Sequence, residues 1–278
     1  MLHNLELEMN SDKSPNIDMF QKKEKLTIIK VGGKIVEESD SLISLLNDFS
    51  KIDGYKVLVH GGGRSATALA TRLGLETKMI EGRRVTDAEM LKVVTMIYAG
   101  WVNKQIVAGL QALGLNALGL TGADLNYMRS EKRSPYPIDY GFVGDVKEVN
   151  VSLLTDLIRK EVVPVLAPLT HDKCGNLLNT NADTIAAEAA KAFSSFFEVT
   201  LIYCFEKKGV LMNEKDEDSV ISSLTPELYE KFVSQKVIQG GMIPKMENSF
   251  NALKSGVSKV IITRADAILT HSGTTITL

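Results

Sequence analysis

Residues 26–34 read Leu-Thr-Ile-Ile-Lys-Val-Gly-Gly-Lys, an apolar run of strand length that two glycines end. The run is rich in β-branched residues, so it predicts a β-strand followed by a turn. Residues 41–52 follow with leucines and a phenylalanine on one helical face, and residues 56–60 form a second strand run before a triple glycine. This alternation predicts an α/β fold with a mainly parallel sheet and helices on both faces.

The same alternation of strand and helix patterns continues along the chain. The further predicted strands are residues 116–120, 162–168, 200–204 and 257–263, and the further predicted helices are residues 64–73, 86–114, 152–159, 181–193, 225–233 and 243–255. Thr86 and Glu89 have the spacing of a capping box at the start of the longest helix. Residues 78–85 predict a hairpin or an irregular turn, and residues 124–149 predict a β-hairpin layer at the edge of the fold.

Composition excludes several classes of protein. The 278 residues include 32 basic and 34 acidic side chains, so the chain has no strong field for nucleic acid or an anionic membrane. No apolar stretch approaches the roughly 20 residues that span a bilayer, so we expect no membrane partner. Cys174 and Cys204 fit neither a zinc motif nor a disulfide framework, and we expect no metal held by protein ligands. A reducing, cytoplasmic setting is expected.

The chain is long enough for two lobes and a terminal extension. Residues 1–25 carry acidic side chains and lack the apolar stretch of a targeting peptide, so we expect a flexible extension there. Composition changes near residues 193–198, between an alanine-rich helix and the next strand. This change predicts a boundary between two lobes, residues 26–195 and residues 196–278.

Glycine, lysine, asparagine and aspartate are concentrated where predicted strands end or helices begin. Ligands of open parallel sheets bind beyond the carboxyl ends of the strands, so these segments are candidate functional loops. Backbone amides can approach an anion closely at glycine, and lysine can neutralise a phosphoryl group. The segments with this composition are residues 28–34, 60–64, 179–183 and 240–245.

Four charged side chains in or near these segments have both a functional and a purely structural interpretation. Lys30 lies inside an apolar strand, and Lys245 lies in a first helical turn, where a cation opposes the helix dipole unless an anion is bound. Asp183 could orient the two lysines or simply complement the helix dipole after the predicted N-cap Asn181. Arg84 could clamp a carboxylate with two hydrogen bonds or lie at the surface. Local sequence leaves both interpretations open for each.

Two other patterns lie near the glycines. Gly61, Gly63 and Ala66 match the G-x-G-x-x-A fingerprint of dinucleotide-binding loops. The acidic residue expected at the end of the following strand is missing, since Glu81 lies in the turn-like segment, and this disfavours a nicotinamide oxidoreductase. No segment matches a Walker A loop. His60 ends a strand, and we interpret it as structural rather than as a general base.

Taken together, these segments resemble the amino-acid kinase family, and within it the branch that phosphorylates N-acetylglutamate. Five segments occur in the family's order and spacing. They are IIKVGG at residues 28–33, VHGGGR at 59–64, GRRVT at 82–86, NTNAD at 179–183 and GGMIPK at 240–245. Each segment alone is weak evidence for the family, but five segments in this order are specific for it. GRRVT and NTNAD separate this branch from the other branches of the family.

The resemblance implies a three-layer αβα sandwich in which residues 26–195 bind the acylated amino acid and residues 196–278 bind ATP. It implies that Lys30 and Lys245 stabilise the transferring phosphoryl group and that Asp183 organises both. ATP would enter as its Mg²⁺ complex, and the γ-carboxylate of N-acetyl-L-glutamate would attack in line, a step of arginine biosynthesis. A carboxylate is ionised at pH 7, so the reaction requires no general base.

The resemblance also implies binding roles for glycines and polar side chains. Gly33 and Gly62 match the positions whose amides hold the phosphoryl oxygens. The positions that match the acyl-glutamate site are Gly62, Gly63, Arg84 and Asn179. The implied partners are small molecules, and we favour a homodimer, because residues 1–25 are poorly amphipathic for the helix that assembles hexamers in this family.

The sequence departs from the family in the nucleotide lobe, where residues 205–210 read Phe-Glu-Lys-Lys-Gly-Val instead of Asp-Val-x-Gly-Val. Glu206 and Gly209 are the nucleotide-binding candidates there.

The C-terminus lacks the longer tail of arginine-inhibited members, so we expect no inhibition by arginine. Two alternative functions remain. One is the same reaction on a glutamate with another acyl group such as N-succinyl, whose pocket depends on residues 123–126 and 140–143. The other is a non-catalytic amino-acid sensor.

Overall fold

The computed structural model of the chain describes residues 23–80 and 82–278. Most of the predicted extension, residues 1–22, and the glutamate at position 81 lie outside the described residues. The strands are β1 (Lys25–Val31), β2 (Tyr55–His60), β3 (Met79–Ile80), β4 (Arg83–Arg84), β5 (Asn116–Leu120), β6 (Met128–Lys132), β7 (Gly144–Val149), β8 (Val162–Leu166), β9 (Leu169–His171), β10 (Leu177–Asn179), β11 (Glu198–Phe205), β12 (Ser223–Leu224), β13 (Lys259–Arg264) and β14 (Thr274–Ile276). The helices are α1 (Gly33–Glu37), α2 (Ser39–Ser50), α3 (Gly63–Arg72), α4 (Ala88–Thr95), α5 (Asn103–Ala112), α6 (Ser152–Arg159), α7 (Ala182–Phe193), α8 (Pro226–Ser234) and α9 (Met242–Lys254). A π-helical segment, Met96–Val102, joins α4 to α5.

Eight strands form the central sheet in the order β12-β14-β13-β11-β1-β2-β8-β5. Every neighbouring pair is parallel except β13 and β14. β1 lies between β11 and β2, with Lys30 opposite Tyr203 on one side and Val59 on the other. The prediction of a mainly parallel sheet is confirmed.

Helices cover both faces of this sheet and form the outer two of three layers. Along β1, Leu26 and Ile28 belong to a core shared with α7 and α9, whereas Ile29 and Val31 belong to a core shared with α2 and α5. Because both faces are buried, β1 is continuously apolar rather than alternating. Lys30 has the parity of Ile28, so its side chain leaves the strand on the face that α7 and α9 cover.

Shorter strands form a separate layer. β10, β9, β6 and β7 make a four-stranded sheet, and its antiparallel β6–β7 pair confirms the hairpin predicted within residues 124–149. β3 and β4 confirm the hairpin predicted within residues 78–85. β9 and β10 are absent from the predicted strands, because three residues are too few to show a period.

The longest predicted helix begins at a different cap from the one expected. The prediction of a capping box at Thr86 is wrong, because Asp87 is the N-cap and its Oδ1 accepts a 2.8 Å hydrogen bond from the Met90 amide. The Thr86 hydroxyl is engaged elsewhere. It donates to the Arg84 carbonyl at 3.2 Å and accepts from the Asn179 Nδ2 at 2.9 Å. α4, the π-helical segment and α5 then run on as one helix.

Two findings on the described residues concern the composition-based expectations. No helix between residues 23 and 278, leaving out position 81, is long and apolar enough to cross a bilayer. Cys174 is exposed and Cys204 is buried, and both are free thiols.

Candidate active site

The carboxyl ends of β1 and β11 lie side by side in the middle of the central sheet. The strand order runs outward from this point in both directions, because β2 lies beyond β1 and β13 lies beyond β11. Such a reversal opens a crevice where the loops that leave the two strands separate. β1 leads into the glycine pair and α1, and β2 leads into the triple glycine and α3, so both glycine segments reach this crevice.

Two lysines and one aspartate meet beside the crevice. The Lys30 Nζ is 2.7 Å from the Asp183 Oδ1, and the Lys245 Nζ is 3.5 Å from the Asp183 Oδ2. Their side chains are only 10–17% exposed, so neither lysine is an ordinary surface cation. β1, α7 and α9 supply one residue each. The structure thus brings together three candidates that are far apart in sequence.

Local sequence determines where Asp183 and Lys245 lie. Asn181 caps α7, and its side-chain oxygen accepts from the Asp183 amide at 2.8 Å and the Thr184 amide at 3.3 Å. Asp183 is therefore in the first turn, where the helix dipole favours a carboxylate. Lys245 is in the first turn of α9, whose N-cap Gly241 provides no side-chain cap. An anion bound at this end of α9 would complement both the dipole and the ammonium group.

Burial and neighbouring charges shift the pKa values of Asp183 and Lys245. Burial alone would raise the pKa of Asp183, but the ammonium groups of Lys30 and Lys245 outweigh it and lower that pKa. Burial lowers the pKa of Lys245 to about 8, although Asp183 opposes this shift. At neutral pH Asp183 is therefore ionised and Lys245 is mostly protonated. Two lysines against one carboxylate leave a surplus of positive charge, which suits a bound anion.

The glycine turns at residues 32–33 and 61–63 pack against each other. An added Cβ at Gly33 would lie 3.6 Å from the amide nitrogens of Gly62 and Gly63. One at Gly61 would lie 3.2 Å from the Gly33 amide nitrogen. The N-cap residues Gly32 and Gly62 provide no side-chain cap for α1 or α3, but the Glu37 carboxylate accepts a 2.6 Å hydrogen bond from the Ser65 amide in the first turn of α3. The amides of the two helix ends that no side chain caps lie at the crevice, an arrangement that binds anions.

Arg84 is a buried cation whose partners are neutral. Its Nη2 donates to the Gly63 carbonyl at 2.7 Å and to the Thr67 hydroxyl at 2.8 Å. It is 8% exposed, and within the described part of the chain no carboxylate oxygen lies within 4.0 Å of it. A buried guanidinium without a counter-charge is unfavourable, so this position favours a bound carboxylate.

A cavity of about 350 Å³ gathers most of the candidate residues. The candidates that line it are Gly62, Gly63, Arg84, Asn179, Asp183 and Lys245. It shares Gly63 and Arg84 with a second cavity of about 620 Å³, which Gly33 and Glu206 line. The first cavity can hold a carboxylate at Arg84 and a second anion at Lys245 within one small molecule or two.

The two nucleotide-binding candidates have different surroundings. Glu206 is exposed and forms ion pairs with Lys34 at 3.1 Å and Arg64 at 3.6 Å. Gly209 is buried, and an added Cβ would lie 2.8 Å from the Thr274 hydroxyl, so packing against β14 accounts for this glycine. The structure brings Glu206 to the second cavity but brings Gly209 to neither cavity. A nucleotide-binding role for either residue stays a prediction.

His60 is buried beside the triple glycine and is held by two contacts. Its Nδ1 is 2.8 Å from the Gly61 carbonyl, and the Asn103 Nδ2 donates to its Nε2 at 3.1 Å. Burial lowers the pKa of His60 to about 4. The ring is therefore neutral at pH 7, with its proton on Nδ1, where a carbonyl accepts it. These contacts agree with the interpretation of His60 as a structural residue.

Three further residues reach the site although no sequence pattern singles them out. Tyr98 lines the first cavity against Gly62, and Arg133 lines it as well. Phe205 lies beneath Lys245, whose Nζ is 3.4 Å from the ring centroid. Buried helix positions such as Tyr98 give no functional signal in sequence. Phe205 gives none either, because its place at the end of the strand beside β1 is visible only in the structure.

Two acidic side chains at the site are paired with cations, and the Glu37 carboxylate accepts from the Ser65 amide at 2.6 Å. Asp183 contacts two lysines, and Glu206 contacts a lysine and an arginine. No group of three or more His, Cys, Asp or Glu side chains that could hold a metal ion occurs in residues 23–80 and 82–278. A divalent cation at this site would therefore need oxygen ligands from a bound molecule.

Comparison with known proteins gives one family and several relatives. The model of the amino acid kinase family matches residues 25–264. The acetylglutamate kinase of Phocaeicola vulgatus is 67% identical over 254 residues, which cover 91% of this chain and 99% of that protein. The acetylglutamate kinase of Bacteroides thetaiotaomicron is 66% identical, with the coverage again 91% and 99%. A solved structure from Streptococcus mutans UA159 is 29% identical with a TM-score of 0.77, and the match covers 91% of this chain and 98% of that one.

Proposed function

The chain belongs to the amino acid kinase family, and from this premise we propose that it transfers the γ-phosphoryl group of ATP to the γ-carboxylate of N-acetyl-L-glutamate. The product is N-acetylglutamyl 5-phosphate, an acyl phosphate of arginine biosynthesis. The acetyl group is favoured because relatives at 66–67% identity over 91% of the chain are named acetylglutamate kinase. These relatives give no support to another acyl group or to a non-catalytic sensor.

The convergence of Lys30, Asp183 and Lys245 beside the glycine turns carries this proposal. During transfer, a carboxylate oxygen forms a bond to the γ-phosphorus while the bond to the bridging oxygen of ADP breaks. Negative charge then spreads over the phosphoryl oxygens. The two ammonium groups neutralise this charge, Asp183 keeps both within reach of one phosphoryl group, and the amides of Gly33 and Gly62 donate to its oxygens.

The acceptor needs no proton removed, because a γ-carboxylate is ionised at neutral pH. Positioning and charge neutralisation can therefore supply the rate enhancement. A neutral, fully buried His60 is compatible with a reaction that uses no general base.

Arg84 holds the acylated amino acid in this proposal. Its buried guanidinium has no counter-charge from the described residues, so the α-carboxylate of the substrate would complete it. Asn179 and the amide of Gly63 line the same cavity and would hold the acyl-amide end, with Gly62 beside them. The γ-carboxylate would then lie toward Lys245, which lines the same cavity.

The two halves of the central sheet divide the substrates between them in this proposal. Residues 26–195 contribute β1, β2, β8 and β5, and residues 196–278 contribute β11, β13, β14 and β12. The lobes meet between β1 and β11, where the crevice lies. The first lobe would bind N-acetylglutamate, and the second would bind ATP with Glu206 near the nucleotide.

ATP would bring Mg²⁺ on its own phosphate oxygens, since the described acidic side chains form no metal site. The ion, when bound, neutralises phosphate charge and orients the leaving group. Lys30 and Lys245 supply the protein's own share of this neutralisation.

The proposed enzyme is a cytoplasmic homodimer. The exposed free thiol of Cys174 fits a reducing compartment. Trp101 is 60% exposed on the π-helical segment, Met96 is exposed near it, and β5 is an edge strand of the central sheet. An apolar helix face near an open sheet edge is the kind of surface that two copies of a chain bury.

The test of this function is an ADP-release assay with N-acetyl-, N-succinyl- and free L-glutamate as acceptors, with hydroxylamine added to trap the acyl phosphate. We expect turnover and a hydroxamate product with N-acetyl-L-glutamate, and little of either with free glutamate. Absence of turnover with all three acceptors would overturn the proposed function. A preference for N-succinyl-L-glutamate would overturn only the assignment of the acyl group.

Two substitutions separate the roles within the site. Lys245→Ala removes a cation that acts on the transition state, so it should lower kcat by about 10²–10³-fold with little change in KM for the acceptor. Arg84→Ala removes the clamp and should mainly raise KM for N-acetylglutamate. If both variants keep wild-type kinetics, the site assignment is wrong.

A further inference from the structure

The ammonium group of Lys245 rests on an aromatic ring. Its Nζ lies 3.4 Å from the centroid of Phe205 and 3.5 Å from the Asp183 Oδ2. The Lys30 Nζ is 5.9 Å from the same centroid. The face of a phenyl ring carries negative potential, so it attracts an ammonium group at these distances, more strongly where water is excluded. Two cations therefore share one carboxylate and one ring.

The strand that carries this ring also ties it to the rest of the cluster. Phe205 stacks on Tyr203, with 6.4 Å between centroids and an interplanar angle of 5°. Tyr203 is fully buried, and its hydroxyl donates to the Asp183 carbonyl at 3.4 Å. In the sheet, Tyr203 lies opposite Lys30. β11 thus places the ring beside both lysines that contact Asp183.

A ring holds an ammonium group without cancelling its charge. Asp183 already contacts both lysines, and a second carboxylate at position 205 would neutralise the surplus that attracts a phosphoryl group. An aliphatic side chain would exclude water but supply no attraction. Lys245 could then leave Asp183 for the second cavity, which Phe205 lines.

We propose that Phe205 is a positioning residue for phosphoryl transfer, whose ring holds the Lys245 ammonium beside Asp183 and directed into the first cavity. This inference rests on the proposed kinase function, because Lys245 meets a phosphoryl group only in that reaction. Phe205 acts on the phosphoryl group through Lys245.

A matched set of variants tests the role of the ring in the full-length protein. Phe205→Leu keeps most of the volume and removes the π face, whereas Phe205→Tyr keeps the face. We expect Phe205→Leu to lower kcat about tenfold with KM for N-acetylglutamate within about twofold, and Phe205→Tyr to restore most of kcat. Phe196→Leu changes a part-exposed phenylalanine just after α7, far from Lys245 in the described structure, and should behave as wild type.

The pH dependence separates positioning from simple packing. The π face favours the ammonium form, so its removal lowers the pKa of Lys245. The alkaline limb of kcat in Phe205→Leu should then move to lower pH by about half a unit to one unit. A packing defect would lower kcat at every pH and leave the limb in place. The ¹³Cε resonance of Lys245, identified by its loss in Lys245→Arg, should titrate with the same displacement in the absence of substrates.

The outcomes distinguish a failure of the positioning role from a failure of the proposed kinase function. If the wild type shows no turnover, the kinase proposal fails, and the NMR titration alone decides whether the ring holds the ammonium group. If the wild type is active but Phe205→Leu keeps its kcat and its alkaline limb, the positioning role is overturned. A loss in Phe205→Tyr equal to that in Phe205→Leu would overturn it as well. Should Phe205→Leu fail to fold, Phe205→Met replaces it with a flexible apolar chain of similar volume.

Discussion

At the residue scale, Lys245 connects the rate of the reaction to pH. Burial lowers its pKa to about 8, and only the ammonium form can neutralise the phosphoryl group. We therefore expect kcat/KM, which reports the free enzyme, to be level near neutral pH and to fall as the pH rises through about 8. The corresponding limb of kcat should lie at higher pH, because bound phosphates favour the ammonium form. The residual activity of Lys245→Arg should lack both limbs, because a guanidinium stays protonated. A wild-type kcat/KM that keeps rising above about pH 9 would contradict the assignment.

His60 makes the stability of the folded chain, rather than the reaction rate, depend on pH. Burial lowers its pKa from the ordinary value of 6.5 to about 4 in the folded chain, so between these values only the unfolded chain binds the proton. Its contribution to stability is therefore present above the unfolded pKa and is lost as the pH falls, by up to about 3 kcal/mol. Urea unfolding of the wild type and His60→Gln at both ends of this window measures it. The stability difference between the two proteins should shrink at low pH, and two parallel curves would disprove the effect.

The candidate residues could be found in the sequence, but their convergence could not. Lys30 inside an apolar strand and Lys245 in a first helical turn conflict with local preferences, and such conflicts mark functional sites. Their shared contact with Asp183 depends on how β1, α7 and α9 pack, which local pattern does not encode. The contact between Phe205 and Lys245 depends on the same packing. An aromatic residue at a strand end conflicts with no local rule, so the sequence does not predict this contact.

At the element scale, the turn from β2 into α3 packs tightly on the π-helical segment. An added Cβ at Gly62 would lie 2.9 Å from the Cδ1 of Tyr98, whose ring is buried. Gly62→Ala should therefore lower the free energy of unfolding by about 1–3 kcal/mol and reduce kcat by displacing the turn. Urea unfolding and the ADP-release assay measure the two effects.

Gly100→Ala is the control for this prediction. A Cβ at Gly100 meets nothing within 4 Å, and the residue lies inside the helix. The variant should be as stable as the wild type or more stable by about 0.5–1 kcal/mol, with unchanged activity. Equal stabilities of the two alanine variants would show that the Gly62–Tyr98 contact is not tight.

The prediction of helices and strands succeeded where the sequence pattern was long. It failed for very short strands and for a cap residue whose side chain bonds a distant group. Predicted helices such as residues 225–233 match the structure, where Thr225 caps α8 and Pro226 begins it. Three-residue strands such as β9 show no period of their own. The capping box failed because the Thr86 hydroxyl bonds Asn179, a partner 93 residues away. A cap is a local signal only when no distant group competes for the side chain.

At the scale of the whole molecule, the outer face of the long helix carries the proposed dimer contact. Trp101→Glu places a charge at its centre, so we expect the variant to elute as a monomer while the wild type elutes as a dimer. Light scattering coupled to size-exclusion chromatography measures the mass of each. Tyr136→Glu alters a residue that is 85% exposed on a loop and should leave the dimer intact. A monomeric wild type would refute the proposed assembly.

The layered architecture follows from local alternation, but the strand order does not. Alternating strands and helices indicate a parallel sheet because a crossover helix must cover one face or the other. That β1 pairs with β11 as well as β2 depends on the burial of β1 on both faces, which many orders would satisfy. The position of the site between these strands therefore becomes visible only in three dimensions.

The central position of β1 has a consequence for synthesis of the chain on the ribosome. Lys25 pairs with Glu198, so about 170 further residues must be translated before that partner exists, which takes roughly 10–35 s at ordinary elongation rates. During this interval β1 can pair only with β2, and its other side offers free amides and apolar side chains to wrong partners. Nascent chains should therefore need a chaperone to shield that side until β11 has emerged.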